Sequence, residues 1–371
     1  MSEQYMCSKC KSTYTPNTTR FQCDCGGILN LTGTVIPFKL DTIDTSQWSL
    51  FRYASFLPFQ DDSHWKKLSM GAGMTPLIPM GDDQPEMLLK ADYMMPTLSF
   101  KDRGAAVLIA KAKELGAKHI IQDSSGNAGA AVAAYSARAG LTCAIYVPDS
   151  TSDKKIKQIE AYGASVHKIP GSREDTASAA LTAAENGEGF YASHVYNPYF
   201  HQGTKTYVYE IFEQLGGKLP EAIVTPLGNG TLLLGIYQGL KDLMTSGCID
   251  AYPRLIAVQA EGCAPIYKAF ISGAIHTEPV KNEGTDAEGI AIADPKRGDL
   301  ILKAVKEIGG TIITAPEHRI LHHHEELAKR GFHVEVTTAA NFAGYEAYLE
   351  HNKKPISVVL PLCGAGLKSV K

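Results

Sequence analysis

A lysine in the first turn of a helix is electrostatically out of place, and the run Thr97-Leu98-Ser99-Phe100-Lys101-Asp102-Arg103-Gly104 puts one there. Ser99 reads as the helix cap, with the Asp102 carboxylate three residues later in the first turn. Pro96 stops any earlier helix, and Ala105 to Ile109 continues the new one. The positive end of the helix dipole disfavours an ammonium by about 0.3–1 kcal/mol. Phe100 beside it adds partial desolvation, which acts in the same direction. Both favour a neutral amine or an imine, the states a lysine uses to condense with a carbonyl. The competing reading is a surface lysine that happens to fall early in a helix, and these residues alone do not choose between the two.

An amine of this kind needs other elements to bring a ligand to it. Past residue 75 the pattern alternates: helices over 105–115, 127–138, 153–162, 175–185, 204–215, 231–244, 300–308, 318–330 and 342–350. Between them fall strands over 119–121, 141–147, 165–169, 222–225, 254–259, 311–314 and 356–360. Strands alternating with helices of this length predict an α/β fold of two doubly wound, mostly parallel sheets. Ligands in such folds sit at the carboxyl ends of strands, where turns feed helix N-termini.

Three of those turns are rich in glycine and small polar residues. Asp123-Ser124-Ser125-Gly126-Asn127-Ala128-Gly129 offers successive amides to an anion, a carboxylate being the natural guest, and Asn127 adds a side-chain amide for a phenolic or carbonyl oxygen. Pro226-Leu227-Gly228-Asn229-Gly230-Thr231 can bring amides and a hydroxyl to a phosphate. It is no dinucleotide fingerprint, because Leu233 stands where a third glycine belongs. Leu362-Cys363-Gly364-Ala365-Gly366 places a neutral thiol at the end of the last strand, and the glycine spacing through Lys368 and Ser369 is wrong for a nucleotide-binding P-loop.

Four of the eight cysteines lie in the first 25 residues: Cys7-x-x-Cys10, a twelve-residue gap, then Cys23-x-Cys25-Gly26-Gly27. Two close thiolate pairs on a short hairpin can close a tetrahedral zinc site, and Gly26-Gly27 supplies the tight backbone of such a knuckle. The alternative is a ribbon that keeps its cysteines without metal. In either case the role is structural, because four thiolates leave no open coordination position.

The chain has 371 residues, 44% apolar and 20% charged, with a net charge of −3. That balance gives no reason to expect nucleic acid or an anionic membrane as partner. The absence of a long apolar run and the polar, cysteine-bearing start argue against a membrane span and a signal peptide, so a reducing cytoplasm is the expected compartment.

Taken together, the amine, the phosphate cradle, the carboxylate cradle and the neutral donor suit pyridoxal phosphate carrying an amino acid. The chain resembles the fold type II pyridoxal-phosphate enzymes, and most closely the threonine synthases. Ser99-Phe100-Lys101-Asp102-Arg103-Gly104, Ser124-Ser125-Gly126-Asn127, Gly228–Thr231, Val258-Gln259-Ala260-Glu261-Gly262 and the tail Gly364-x-Gly366-Leu367-Lys368 carry the resemblance, as does the cysteine ribbon of Cys7, Cys10, Cys23 and Cys25. It implies that Lys101 forms the imine with the cofactor and then moves protons, and that Asn127 bonds the ring oxygen. It also implies that Gly228, Asn229, Gly230 and Thr231 hold the phosphate and that Cys363 faces the ring nitrogen. Ser124, Ser125, Gly126, Ala128 and Gly129 would take the substrate carboxylate.

The implied organisation is a zinc-ribbon-like segment (1–35), a large cofactor-binding domain (36–104 plus 204–371) and a small mobile domain (105–203) with a hinge near Gly203. A homodimer is common among such enzymes. The implied reaction is elimination of phosphate from O-phosphohomoserine and addition of water to give L-threonine. The alternatives are a related β-elimination or β-replacement on serine, threonine or an activated serine, of the dehydratase, ammonia-lyase or cysteate-synthase kind, and a non-catalytic paralogue. The alternatives arise because His194, Val195 and Phe200 stand where threonine synthases carry an Asn-Ser pair and an arginine for the substrate phosphate. His194, His201 and Lys205 are the candidate replacements. The run His322-His323-His324 reads as a solvated helix face.

Overall fold

Strands buried on both faces need near-continuous apolar runs, and segments such as Cys143-Ala144-Ile145-Tyr146-Val147 and Leu255-Ile256-Ala257-Val258 supply them. The computed structural model describes residues 3–33 and 36–368, so Ser369 and the edge of the ribbon segment at 34–35 lie outside the described residues. In chain order the first strands are β1 (Gln4–Cys7), β2 (Thr13–Tyr14), β3 (Leu29–Thr32), β4 (Leu77–Pro79) and β5 (Met87–Lys90). They are followed by β6 (His119–Gln122), β7 (Thr142–Pro148), β8 (Ser165–Ile169) and β9 (Phe190–Tyr191). The last four are β10 (Ala222–Pro226), β11 (Arg254–Ala260), β12 (Thr311–Ala315) and β13 (Val358–Pro361). The helices are α1 (Ser63–Leu68), α2 (Lys101–Glu114), α3 (Asn127–Ala139), α4 (Asp153–Ala161), α5 (Arg173–Glu185) and α6 (Tyr199–Thr204). The remainder are α7 (Thr206–Gln214), α8 (Thr231–Thr245), α9 (Pro265–Ile271), α10 (Gly298–Glu307), α11 (Glu317–Lys329) and α12 (Val336–Leu349).

The chain forms two compact units. One comprises Met1–Ile36, Thr42–Gly73 and Lys101–Thr204; the other comprises Pro37–Asp41, Met74–Phe100 and Lys205–Lys371. The first holds a parallel four-stranded sheet in the order β8-β7-β6-β9 and an antiparallel ribbon β2-β1-β3. The alanine-rich helix α3 packs beside α2 and β7, its small side chains permitting close approach, and closes on Gly140 in the left-handed conformation (φ 68°). The second holds a six-stranded sheet, β12-β11-β10-β13-β5-β4, parallel except for the edge strand β4. Its core is apolar, with Val224, Ile256, Val258, Phe342, Val358 and Leu360 buried together. Two doubly wound, mostly parallel sheets are what the alternating pattern predicts. No helix among the described residues is long and apolar enough to cross a membrane.

The structure differs from the sequence reading in three places. The expected helix over 204–215 is α7, and a further short helix, α6, precedes it where none was expected. Strands β4 (three residues) and β5 (four residues) are not among the expected strands. Helix α12 starts at Val336 rather than near Phe342. Its first turn carries Val336-Thr337-Thr338, a β-branched run with weak helix preference. Tertiary bonds override that preference: the Gly289 amide donates to Thr337 Oγ1 (3.0 Å) and the Cys363 amide to Thr338 Oγ1 (3.1 Å).

In the second unit a buried ion pair ties β5 to α7. Lys90 Nζ lies 2.8 Å from Glu210 Oε2, with both side chains fully buried. The same ammonium donates to the Thr75 carbonyl (2.6 Å) and Gln214 Oε1 (2.8 Å), so its three protons are all engaged. Replacing Glu210 with alanine leaves an uncompensated buried ammonium and is expected to cost about 3–5 kcal/mol in urea unfolding. The double replacement Lys90→Met with Glu210→Leu is expected to recover most of that loss. A single variant with wild-type unfolding would show that the pair does not hold this edge of the sheet.

Candidate active site

In the first unit, Lys101 is the opening residue of α2, as the sequence predicts, but Ser99 is not its cap. The Ser99 hydroxyl is buried without a hydrogen-bond partner, and its backbone instead forms a β-bridge with Gly364. That bridge belongs to the second unit, where the Phe100 amide donates to the Cys363 carbonyl (2.9 Å) and the Ala365 amide to the Leu98 carbonyl (3.0 Å). Leu98 adopts a left-handed φ of 64° to make the turn. Phe100, the residue before Lys101, is thus fixed by pairing to the turn that follows β13.

The loop from β6 to α3 carries the other candidate groups of this unit. Its flanks are anchored: Gln122 Nε2 donates to the Ala192 carbonyl (2.9 Å), and the Asp123 amide to Gln122 Oε1 (2.7 Å). A Cβ at Gly129 would overlap the Ser124 carbonyl oxygen, so glycine lets the first turn of α3 close onto the loop. Ser124, Ser125, Gly126 and Asn127 are half-exposed between buried neighbours, while Ala128 and Gly129 are buried. The first amides of any helix lack intrahelical partners, and here they lie beside that accessible stretch. Asp123 was not singled out in the sequence. Its carboxyl is pushed above the usual range, first by burial, against the opposing effects of Tyr191 and Arg173.

In the second unit, Leu227–Gly230 joins β10 to α8. The Leu227 amide donates to the Val258 carbonyl (2.8 Å) and Gln259 Nε2 to the Leu227 carbonyl (3.3 Å). Gly230 caps α8 in the left-handed conformation (φ 74°), and a Cβ there would overlap Ile301. A Cβ at Gly228 would lie 3.1 Å from Ile290 Cα and 3.2 Å from the Gly289 carbonyl. Only glycine gives so narrow a turn at a helix N-terminus, and this is the geometry a phosphate cradle needs. Asn229 is half-exposed, and Thr231 is buried. Cys363 is buried at the end of β13, its Sγ 4.0 Å from the Pro361 carbonyl, a weak contact at best.

Of two candidates for a substrate-phosphate contact, one is engaged by a partner and the other is buried. Lys205 Nζ is spent on Asp242 (2.9 Å), which also accepts from Tyr209 (2.5 Å). His201 is fully buried inside α6. The histidine run is not wholly solvated: His323 Nε2 lies 3.1 Å from Glu346 and His324 Nε2 lies 2.8 Å from the Val334 carbonyl, while His322 is exposed.

The ribbon gathers Cys7, Cys10, Cys23 and Cys25 with all four Sγ atoms within 4.8 Å of one another. The spacings Cys7–Cys25, Cys10–Cys23 and Cys10–Cys25 are each 3.5 Å. Zinc–sulfur bonds of about 2.3 Å in a tetrahedron imply sulfur separations of about 3.8 Å, so the set is close to ligand spacing. The Lys9 amide points at Cys7 Sγ (3.4 Å) and the Tyr14 hydroxyl at Cys23 Sγ (3.0 Å). A Cβ at Gly27 would overlap Cys7 Sγ, so the knuckle requires glycine there.

The family model for pyridoxal-phosphate dependent enzymes matches residues 68–364. The chain belongs to that family. It is 32% identical to a threonine synthase of Methanocaldococcus jannaschii, over 98% of this chain and 92% of the relative. It is 33% identical to a threonine synthase of Methanosarcina acetivorans, over 91% and 85%. Among solved structures, the processed form of threonine deaminase isoform 2 from Solanum lycopersicum superposes with a TM-score of 0.69 at 23% identity, covering 90% of each chain. Maize serine racemase superposes with a TM-score of 0.68 at 20% identity, over 79% of this chain and 88% of that one. These likenesses show fold type II.

As a pyridoxal-phosphate-dependent lyase, the chain must offer an amine to an aldehyde and a cradle to a phosphate. The candidates are Lys101 at the start of α2 and the glycine turn at the N-terminus of α8, where a Cβ at Gly230 would overlap Ile301. A small amino acid is the consistent substrate class. A Gly129→Ala variant is expected to lose about 1–3 kcal/mol of stability, the usual cost of forcing an extra carbon into a packed site. It should also displace the Ser124 carbonyl, read as a lowered melting temperature together with weaker binding of amino-acid carboxylates. Wild-type behaviour in both assays would show that the loop does not depend on this contact.

Proposed function

We propose that the chain is a threonine-synthase-like lyase that eliminates phosphate from O-phosphohomoserine and adds water to give L-threonine. The observation that carries this reading is the identity of about one residue in three with threonine synthases along nearly the full length. When bound, the cofactor supplies an electron sink that makes the substrate's α proton removable. The chain's own groups divide the remaining work. Lys101 Nζ would anchor the cofactor and then take up the α proton. The amides and hydroxyl of Gly228, Asn229, Gly230 and Thr231 would hold the cofactor phosphate, with Asn127 at the ring oxygen and Cys363 at the ring nitrogen. A thiol there would leave the ring nitrogen unprotonated, which suits elimination better than transamination. The segment Ser124, Ser125, Gly126, Ala128 and Gly129 would hold the substrate carboxylate. Cys7, Cys10, Cys23 and Cys25 would hold one structural zinc.

A second reading, β-elimination or β-replacement on serine, threonine or an activated serine, is favoured by one observation. The segment expected to grip a substrate phosphate presents apolar, buried Phe200, and Lys205 is already engaged by Asp242. Loss of a bidentate arginine from a phosphate site removes a strong charge-assisted contact.

Reconstituted protein is expected to show the absorbance of a lysine imine, absent in Lys101→Ala. A substrate panel then separates the two readings: phosphate release from O-phosphohomoserine supports the first, and ammonia or keto-acid release from serine or threonine supports the second. Neither product, with the imine band present, would sink both. Metal analysis is expected to give one zinc per chain, reduced to near zero by Cys7→Ser with Cys10→Ser. No metal in protein purified without chelator would overturn the zinc assignment.

A further inference from the structure

The segment that follows β9 is tied to the same strand end that launches the Ser124–Gly129 loop. The Ala192 amide donates to the Ile121 carbonyl (2.8 Å), and β9 pairs in parallel with β6. The next residues form a tight serine turn. Ser193 Oγ accepts from the amides of Val195 (3.3 Å) and Tyr196 (3.4 Å), and the Ser193 carbonyl accepts from the Asn197 amide (2.9 Å). His194 sits at the apex of that turn. Its ring meets Phe200 edge-on, with centroids 5.9 Å apart and planes at 62°. Phe200 in turn occupies the space a Cβ at Gly104 would need, one helical turn beyond Lys101 on α2. A second glycine contact locks the arrangement: a Cβ at Gly203 of α6 would overlap the Arg103 carbonyl.

His194 Nδ1 is shielded from solvent and has no hydrogen-bond partner. Its basicity is pushed down to about 3, first by burial and then by the positive charges of Lys101 and Arg173. The ring is therefore neutral. A buried polar atom left unpaired in the free protein is a standing demand for a partner. A site built to satisfy such an atom from the substrate rejects analogues that lack the matching group.

We propose that His194 is a specificity-determining residue of this lyase: its ring packs on Phe200, which fills the space at Gly104 in the same turn of α2 as Lys101, and its Nδ1 hydrogen-bonds the oxygen on the substrate's side chain. The inference rests on the reading that Lys101 is the reacting amine. It deepens that reading by naming the group that reads the substrate's side chain. The neutral imidazole reads the presence of oxygen there, whether hydroxyl or ester.

Holoprotein titrated with amino acids, followed by the change in imine absorbance, tests the assignment. Wild type is expected to bind serine and homoserine tighter than alanine and 2-aminobutyrate by on the order of tenfold. His194→Ala is expected to bring the oxygen-bearing and oxygen-free ligands to near equality while leaving alanine affinity in place, and His194→Gln to retain part of the preference. As a readout independent of absorbance, the His194 Nδ1 resonance in nitrogen-15-labelled protein should move with serine and stay put with alanine. An unchanged preference in His194→Ala, an equal loss for all ligands, or a resonance indifferent to serine overturns the assignment of His194. A wild type with no imine absorbance overturns the underlying reading of Lys101, and the assignment falls with it.

Discussion

Backbone-to-backbone contact between α6 and the first turn of α2 is the constraint on which the geometry around Lys101 depends. Gly203 lets α6 lie directly on the Arg103 carbonyl, and Gly104 leaves room for the Phe200 ring. Two glycines on facing helices permit a closer approach than any pair with side chains, and interiors at crystal-like density do not absorb an extra carbon without displacement. Because Arg103, Gly104 and Lys101 share one helical turn, whatever fixes α6 also fixes the base of the lysine side chain. Gly203 is a point of tight packing at the end of α6, beside the boundary between the two units at Thr204 and Lys205.

Both units solve the same positional problem in the same way. A parallel strand ends, a short turn follows, and a helix begins with its unpaired amides facing the turn. In the first unit β6, the Ser124 loop and α3 follow that order; in the second, β10, the Gly228 turn and α8 do. Parallel sheets place the carboxyl ends of all such strands on one side, so each unit concentrates its polar turns at a single edge while its apolar strands stay buried. Chemistry and stability are thus kept in different places: glycine and small polar residues at the strand ends, β-branched and aliphatic residues along the strands.

The alternation of the two element types was legible because apolar runs and glycine or proline stops are local signals. The turns were legible for the same reason: Gly228-Asn229-Gly230 and Ser124-Ser125-Gly126 carry their conformational needs in their own side chains. Helix ends set by distant partners were not. Val336-Thr337-Thr338 does not look helical until Gly289 and Cys363 donate to its hydroxyls, and Ser99 looks like a cap until Gly364 pairs with its backbone. Asp123 stood out only as the first residue of its turn, because its raised carboxyl depends on burial by neighbours brought up from other elements. Lys205 looked available in the sequence, and Asp242, 37 residues later, takes it out of contention.

One ammonium in the first unit has a practical consequence for handling the protein. Lys111, on α2, is almost wholly buried and is shared among Glu3 (3.0 Å), Glu114 (2.6 Å) and the Pro58 carbonyl (2.7 Å), with the Tyr199 ring 5.4 Å away. Glu3 stands just ahead of β1, so the amino-terminal ribbon supplies part of the counter-charge for the helix that begins with Lys101. A shortened gene that drops the cysteine ribbon as a dispensable appendage would strip that counter-charge away, and an affinity tag fused directly at residue 3 would crowd it. Expression designs that keep the ribbon intact and place tags at the opposite end preserve the electrostatic balance beneath the lysine helix.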